Sequence, residues 1–289
     1  MPATFALLTF ALIALWFRGE ASSSFFRRYL WLHLFAGAVV AGLIAGVIQP
    51  LGLVWIAAIA AAALALRDES RTPRLRFAAL LAFLLLAAGL MSHRLPGFSN
   101  PRVISDLRLT SDALPYRLHL NFDKPLIALF FLAACHPLLR GAAPWRAMLA
   151  RVWPSAVGTM LLLLLLAGGS GYVRFAPKLP AIALLWLWSN LFFTCLAEET
   201  LFRGLIQREL QRAWSARRFG LAAAVGVAAL LFGLAHFAGG PAYVILATIA
   251  GAGYGWAYLR TQSIEAAALT HFALNATHFF LFTYPALAP

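Results

Sequence analysis

The sequence predicts an all-α protein, a polytopic bundle of about eight to ten membrane-spanning helices, and three observations carry that expectation. Of its 289 residues, 62% are hydrophobic and only 11% are charged, and the mean hydropathy is +0.81. A soluble domain carries about 25% charged residues, so the composition excludes an ordinary water-soluble globule. Apolar stretches long enough, or nearly so, to cross a bilayer recur at 3–17, 29–48, 51–66, 75–92, 125–139, 152–170, 181–200, 219–237, 242–259 and 264–284. The third observation is where the charge falls between them.

The first segment, "MPATFALLTFALIALWF", has its positive charge after the apolar run. A signal peptide needs that charge in front, so this reads as a spanning helix with its N-terminus outside. If all ten segments cross, the inside loops hold Arg18, Arg27 and Arg28; Arg67, Arg71, Arg74 and Arg76; Arg140, Arg146 and Arg151. They also hold Arg203, Arg208, Arg212, Arg217, Arg218 and Arg260. Sixteen of the 23 basic residues are then inside, and five of the other seven share the long loop 93–124, whose length weakens its say in orientation. The formal charge of +13 is therefore read as loop arginine facing the cytoplasm, and nucleic acid is not an expected partner. Cys135 and Cys195 lie in apolar runs, make no CxxC motif and supply no disulfide framework. Only Lys124 and Lys178 are lysines, which, with so much alanine, points to a GC-rich bacterial genome and a multi-pass protein of a bacterial inner (plasma) membrane.

The loop 93–124 is the one sizeable polar insertion; its Pro, Asn and Asp content reads as turns, with one short strand in "YRLHLNF". The chain divides loosely into residues 1–150, N-terminal helices with this loop and no recognised family, and residues 151–289, which carry the chemistry. His33, His93, His119 and His136 read as helix-end residues reaching toward the interface.

Ionisable side chains at membrane depth are costly, and each is a functional hypothesis whose partner has to be named. No charge occurs from Ala181 through Cys195, and then Glu198 and Glu199 appear together. Glu199 and Arg203 stand i,i+4 with the acid first, the favourable order for an ion pair. Glu198 lies about 100° around the helix from its neighbour and points elsewhere. His271 and Asn275 also share a face at i,i+4, and His278 extends it; Phe232 and His236 do the same on an earlier helix. The basic turn near Arg217 stands 19 residues from both Glu198 and His236, which sets carboxylate and imidazole at one level of an antiparallel helix pair. The same count leaves His271 lower by about two turns unless the helices tilt or the eighth ends early at Gly239, Gly240 and Pro241.

Glu-Glu-x-x-x-Arg at 198–203, Phe-x-x-x-His at 232–236 and His-x-x-x-Asn at 271–275 together resemble the CPBP family of intramembrane glutamic endopeptidases, which includes the Rce1-type CAAX prenyl proteases. The resemblance covers roughly 181–284. It implies an intramembrane endopeptidase acting on a membrane-associated peptide or protein within the lipid bilayer. Glu198 would be the general base, His236 would share its water, and His271 and Asn275 would donate to the oxyanion. Glu199 and Arg203 would orient and balance the first glutamate, and Phe232 would wall the site. The resemblance implies no cofactor. Two other readings stay open: a metal-dependent hydrolase in which Glu198, His236 and His271 hold a divalent ion such as zinc, and a non-catalytic scaffold or transporter using the same polar set. An HExxH helix, the usual mark of zincins, is absent from the chain.

Overall fold

The computed structural model describes residues 1–18, 25–68 and 70–288, and the backbone but not the side chain of Arg27. The charge of Arg27, counted above with the inside loops, therefore lies outside the described residues. Each of the ten apolar segments falls on helix: α1 (Pro2–Ala14), α2 (Phe25–Ile44), α3 (Pro50–Arg67), α4 (Pro73–Met91), α5 (Pro125–Ala134), α6 (Ala142–Gly169), a segmented helix starting with α7 (Ala183–Ser189), then α10 (Gly220–Leu234), α11 (Gly240–Thr261) and α12 (Ile264–Leu281). The segmented helix continues from α7 through a π-helical stretch (Asn190–Cys195), α8 (Leu196–Glu199), a second π stretch (Thr200–Gln207) and α9 (Arg208–Trp214). Among the described residues four helices, Pro50–Arg67, Pro73–Met91, Ala142–Gly169 and Phe237–Thr261, are long and apolar enough to cross a bilayer. Their large apolar side chains stay exposed, as at Leu64, Leu85 and Leu165, which suits contact with lipid. The protein is a helical bundle of an integral membrane protein.

Three boundaries differ from expectation, each for a local reason. Helix α5 stops after ten residues, because Pro137 blocks continuation and disfavours helix at His136 before it. A helix of that length is too short to cross alone. Helix α6 begins at Ala142 and takes in Arg146, Arg151 and Pro154, and the segmented helix runs on to Trp214. Arg203, Arg208 and Arg212 are therefore on helix, not in a loop. In the loop 93–124 two strands pair, β1 (Arg102–Leu107) and β2 (Tyr116–His119), where one was expected. Two of the helix-end histidines are also tied inward. His136 is buried, and the Nδ1 of His93 lies 2.8 Å from Asp123 Oδ2.

The chain forms two compact units. The first comprises residues 1–101, 119–140 and 192–197; the second comprises 102–118, 141–191 and 198–289. In the first, α5 is the core: Pro125 through Leu132 are all buried, and α1 and α3 pack on it. Phe5 joins this core, its ring 5.9 Å from Phe193 and 6.4 Å from Phe122.

In the second unit α11 packs against α6, α10 and α12. Glycine lets it approach its neighbours closely. A Cβ at Gly233 of α10 would stand 1.9 Å from Thr248 Oγ1 and 2.8 Å from the Val244 carbonyl, and one at Gly253 would stand 2.3 Å from Thr159 of α6. Gly251, one of the pair Gly251 and Gly255 at packing spacing, faces the Ala229 backbone in the same way at 3.2 Å. We expect Gly233→Ala to push α10 from α11 at a cost of about 1–3 kcal/mol, the range for overpacking. Equilibrium unfolding in mixed micelles checks it. Below this layer Trp186 stacks on Phe279 at 4.1 Å and donates to the Tyr284 hydroxyl at 3.2 Å, a packing role.

Candidate active site

The site is built on the segmented helix, where four residues of α-helix carry both glutamates between two π-helical stretches. In the second stretch the Arg208 N–H bonds the Arg203 carbonyl, five residues back. Such widened turns are rare and concentrate at functional sites. Because successive residues on α8 point about 100° apart, the two carboxylates diverge.

Glu199 turns inward and is fully buried. Its Oε2 accepts from Arg203 Nε at 2.9 Å, the expected i,i+4 pair, with both side chains at 0% exposure. Its Oε1 lies 2.8 Å from His271 Nδ1, so one carboxylate joins a guanidinium and an imidazole from another helix. Nη1 and Nη2 of Arg203 find no hydrogen-bond acceptor among the described residues. Instead the guanidinium carbon stands 5.2 Å from the Phe232 ring centre, 5.9 Å from Tyr254 and 6.0 Å from Phe202. Aromatic faces attract a cation, and do so more strongly in a desolvated place. Tyr254 also stacks on His271, 4.5 Å between centres and 13° between planes.

Glu198 points to α10. Its Oε2 lies 4.0 Å from His236 Nε2, beyond a direct hydrogen bond. The other imidazole nitrogen, Nδ1, donates to the Phe232 carbonyl at 2.7 Å, which fixes the ring and directs Nε2 to the carboxylate. This arrangement follows from the end of α10 at Leu234: His236 sits past the last helical turn and curls back on it, before the 3₁₀ turn at Phe237–Gly239. The hairpin count thus brings together the residues it paired. The Phe232 ring lies 4.6 Å from that of His236 and 5.6 Å from that of His271, between the two Glu–His pairs.

Helix α12 starts at a short connection, where Gln262 adopts φ 53° and the Ser263 hydroxyl caps the Ala266 N–H at 3.2 Å. That sets His271 against Glu199 two turns on. One turn further, Asn275 Nδ2 donates to Asn190 Oδ1 at 3.3 Å. Three features were not anticipated from sequence: the Glu199–His271 contact, the Tyr254 stack and Asn190. A signal existed only for Asn190, the sole carboxamide in the run 181–197.

Glu198, His236 and His271 do not converge. Among the described residues no group of three or more His, Cys, Asp or Glu side chains is arranged to hold a metal ion. The site offers two carboxylate–imidazole pairs, one partly open and one sealed, separated by an aromatic ring.

Residues 180–277, which run from α7 through most of α12 and contain every residue above, match the family model for Rce1-like, type II CAAX prenyl endopeptidases. The match spans 98 of 289 residues, about a third of the chain. No curated protein and no solved structure matches the chain. Over residues 180–277 the chain is thus similar to the Rce1-like CAAX prenyl endopeptidases, a family of peptidases.

Proposed function

We propose that the protein is an intramembrane endopeptidase that hydrolyses a peptide bond of a membrane-associated protein or peptide with water activated by Glu198. The observation that supports this best is the Glu198–His236 gap of 4.0 Å, with the imidazole already held by the Phe232 carbonyl. A water seated there donates to the carboxylate and to Nε2 at once. Glu198 takes its proton as the oxygen attacks the scissile carbonyl, then returns that proton to the leaving amine.

The sealed pair serves the oxyanion. With Nδ1–H on Glu199, His271 donates through Nε2 only as an imidazolium, and Glu199 is its counter-charge. Arg203 adds a second positive charge to the group, so the cluster of three carries a net charge of the sign that stabilises a developing oxyanion. Asn275, oriented by Asn190, supplies a second donor. This chemistry uses the chain's own side chains and needs no metal. Residues 151–289 form the catalytic core in this reading, and the arginine-rich, lysine-poor composition supports assigning the protein to a bacterial inner membrane.

Cleavage of a membrane-associated peptide by the purified protein, with and without chelator, tests the scheme. Asn275→Ala is expected to lower kcat by about 10²–10³, the cost of one oxyanion donor, with KM little changed. Chelation is expected to leave the wild-type rate unchanged. Loss of activity on chelation, restored by zinc, contradicts the scheme.

A further inference from the structure

Where α1 and α5 end, the first unit has a cavity of about 310 Å³ lined by Leu15, Arg18, His136, Pro137 and Arg140, among others. Its size lies at the lower end of small-molecule sites. Arg18 reaches across it, and Nη1 donates to the Ala133 carbonyl in the last turn of α5 at 2.5 Å. That is its single hydrogen bond among the described residues. Burial, then the guanidinium groups of Arg140, Arg67 and Arg28, hold Arg18 below its ordinary pKa. Arg67 closes α3, which packs on α5, and Arg28 lies in the first turn of α2.

Among the described residues none of the four arginines forms an ion pair. The acid next to Arg67, Asp68, is held by the Ser70 hydroxyl at 2.6 Å and by Arg71 at 3.3 Å. Like charges gathered near a protein surface repel one another. A bound anion reverses the sign of that term. Guanidinium groups match phosphate oxygens in pairs, and basic pockets between membrane helices hold lipid headgroups.

We propose that this arginine-lined pocket binds a phosphate-bearing anion, with the phosphate held between Arg18 and Arg140. Anionic phospholipid headgroups and free phosphate present the same chemistry, and the test separates them. The full-length protein in neutral detergent is titrated with dihexanoyl-phosphatidylglycerol, with dihexanoyl-phosphatidylcholine and with inorganic phosphate, and its thermal unfolding is followed. The same titrations are run on R18Q/R140Q, in which glutamine retains a donor for the Ala133 carbonyl. Each guanidinium is worth about fivefold in affinity for an anionic headgroup, so the variant is expected to bind about thirtyfold more weakly.

Stabilisation by the glycerol lipid alone, lost in the variant, supports the proposal with a lipid headgroup as the source. Equal stabilisation by inorganic phosphate, also lost in the variant, supports it with the phosphate group itself as the ligand. Stabilisation by none of them, or to the same extent in the variant, overturns it. If the variant unfolds before titration, Arg140→Gln alone, an exposed position, is used with the same criteria. The outcome does not depend on whether the protein cleaves peptides.

Discussion

Glu198→Gln is expected to lower peptide hydrolysis by about 10²–10⁴, the range for losing a general base, while the protein unfolds at the wild-type temperature. The two halves of this expectation have one geometric source. Glu198 stands 4.0 Å from His236, too far for a direct hydrogen bond, so little stability rests on the contact. Glutamine keeps the shape and loses the basic oxygen. His236 retains its anchor on Phe232, since that bond uses the other nitrogen. Cleavage rates set beside thermal unfolding of the same preparations check both halves. A variant that keeps activity within tenfold removes Glu198 from the role of base.

Glu199→Ala should behave in the opposite way and fail first in stability. Its carboxylate is the only described ionic partner of Arg203, and both side chains are fully buried. Breaking a buried pair by removing one member costs about 3–5 kcal/mol, because the other charge is left uncompensated. Here the loss also strands the Nδ1 of His271. Replacing both members, as in Glu199→Ala with Arg203→Leu, should recover a large part of the stability, since the buried guanidinium is then removed together with its counter-charge. It should not recover catalysis, because His271 stays without its anchor. Unfolding free energies of the two single variants and the double variant measure the coupling. Additive effects would show that the aromatic rings around Arg203, not Glu199, compensate its charge.

The helical positions were legible in the sequence because lipid demands long apolar runs, and all ten runs are helical. The boundaries were less legible. Arginine reads as loop in a hydropathy pattern, yet Arg203, Arg208 and Arg212 sit on a helix whose buried face is polar there: Gln207 bonds the Gly255 carbonyl at 2.9 Å, and Gln211 is buried as well. The Glu198–His236 pairing came from equal distances to one turn, a property of the chain alone. Partners across non-adjacent helices could not be counted that way. Glu199–His271 and Asn190–Asn275 join the segmented helix to α12, three helices on along the chain, so no single turn sets their register. The strand Arg102–Leu107 went unread because its charged residues break the alternation that marks β2.

A comparison of protein termini in the native host, wild type against Glu198→Gln at equal protein level, tests whether Glu198 drives peptide hydrolysis. A defined set of termini on membrane-associated proteins or peptides is expected in the wild type and missing from the variant. Identical termini in the two strains, with the protein expressed in both, would contradict it and move the polar cluster from catalysis to transport or scaffolding.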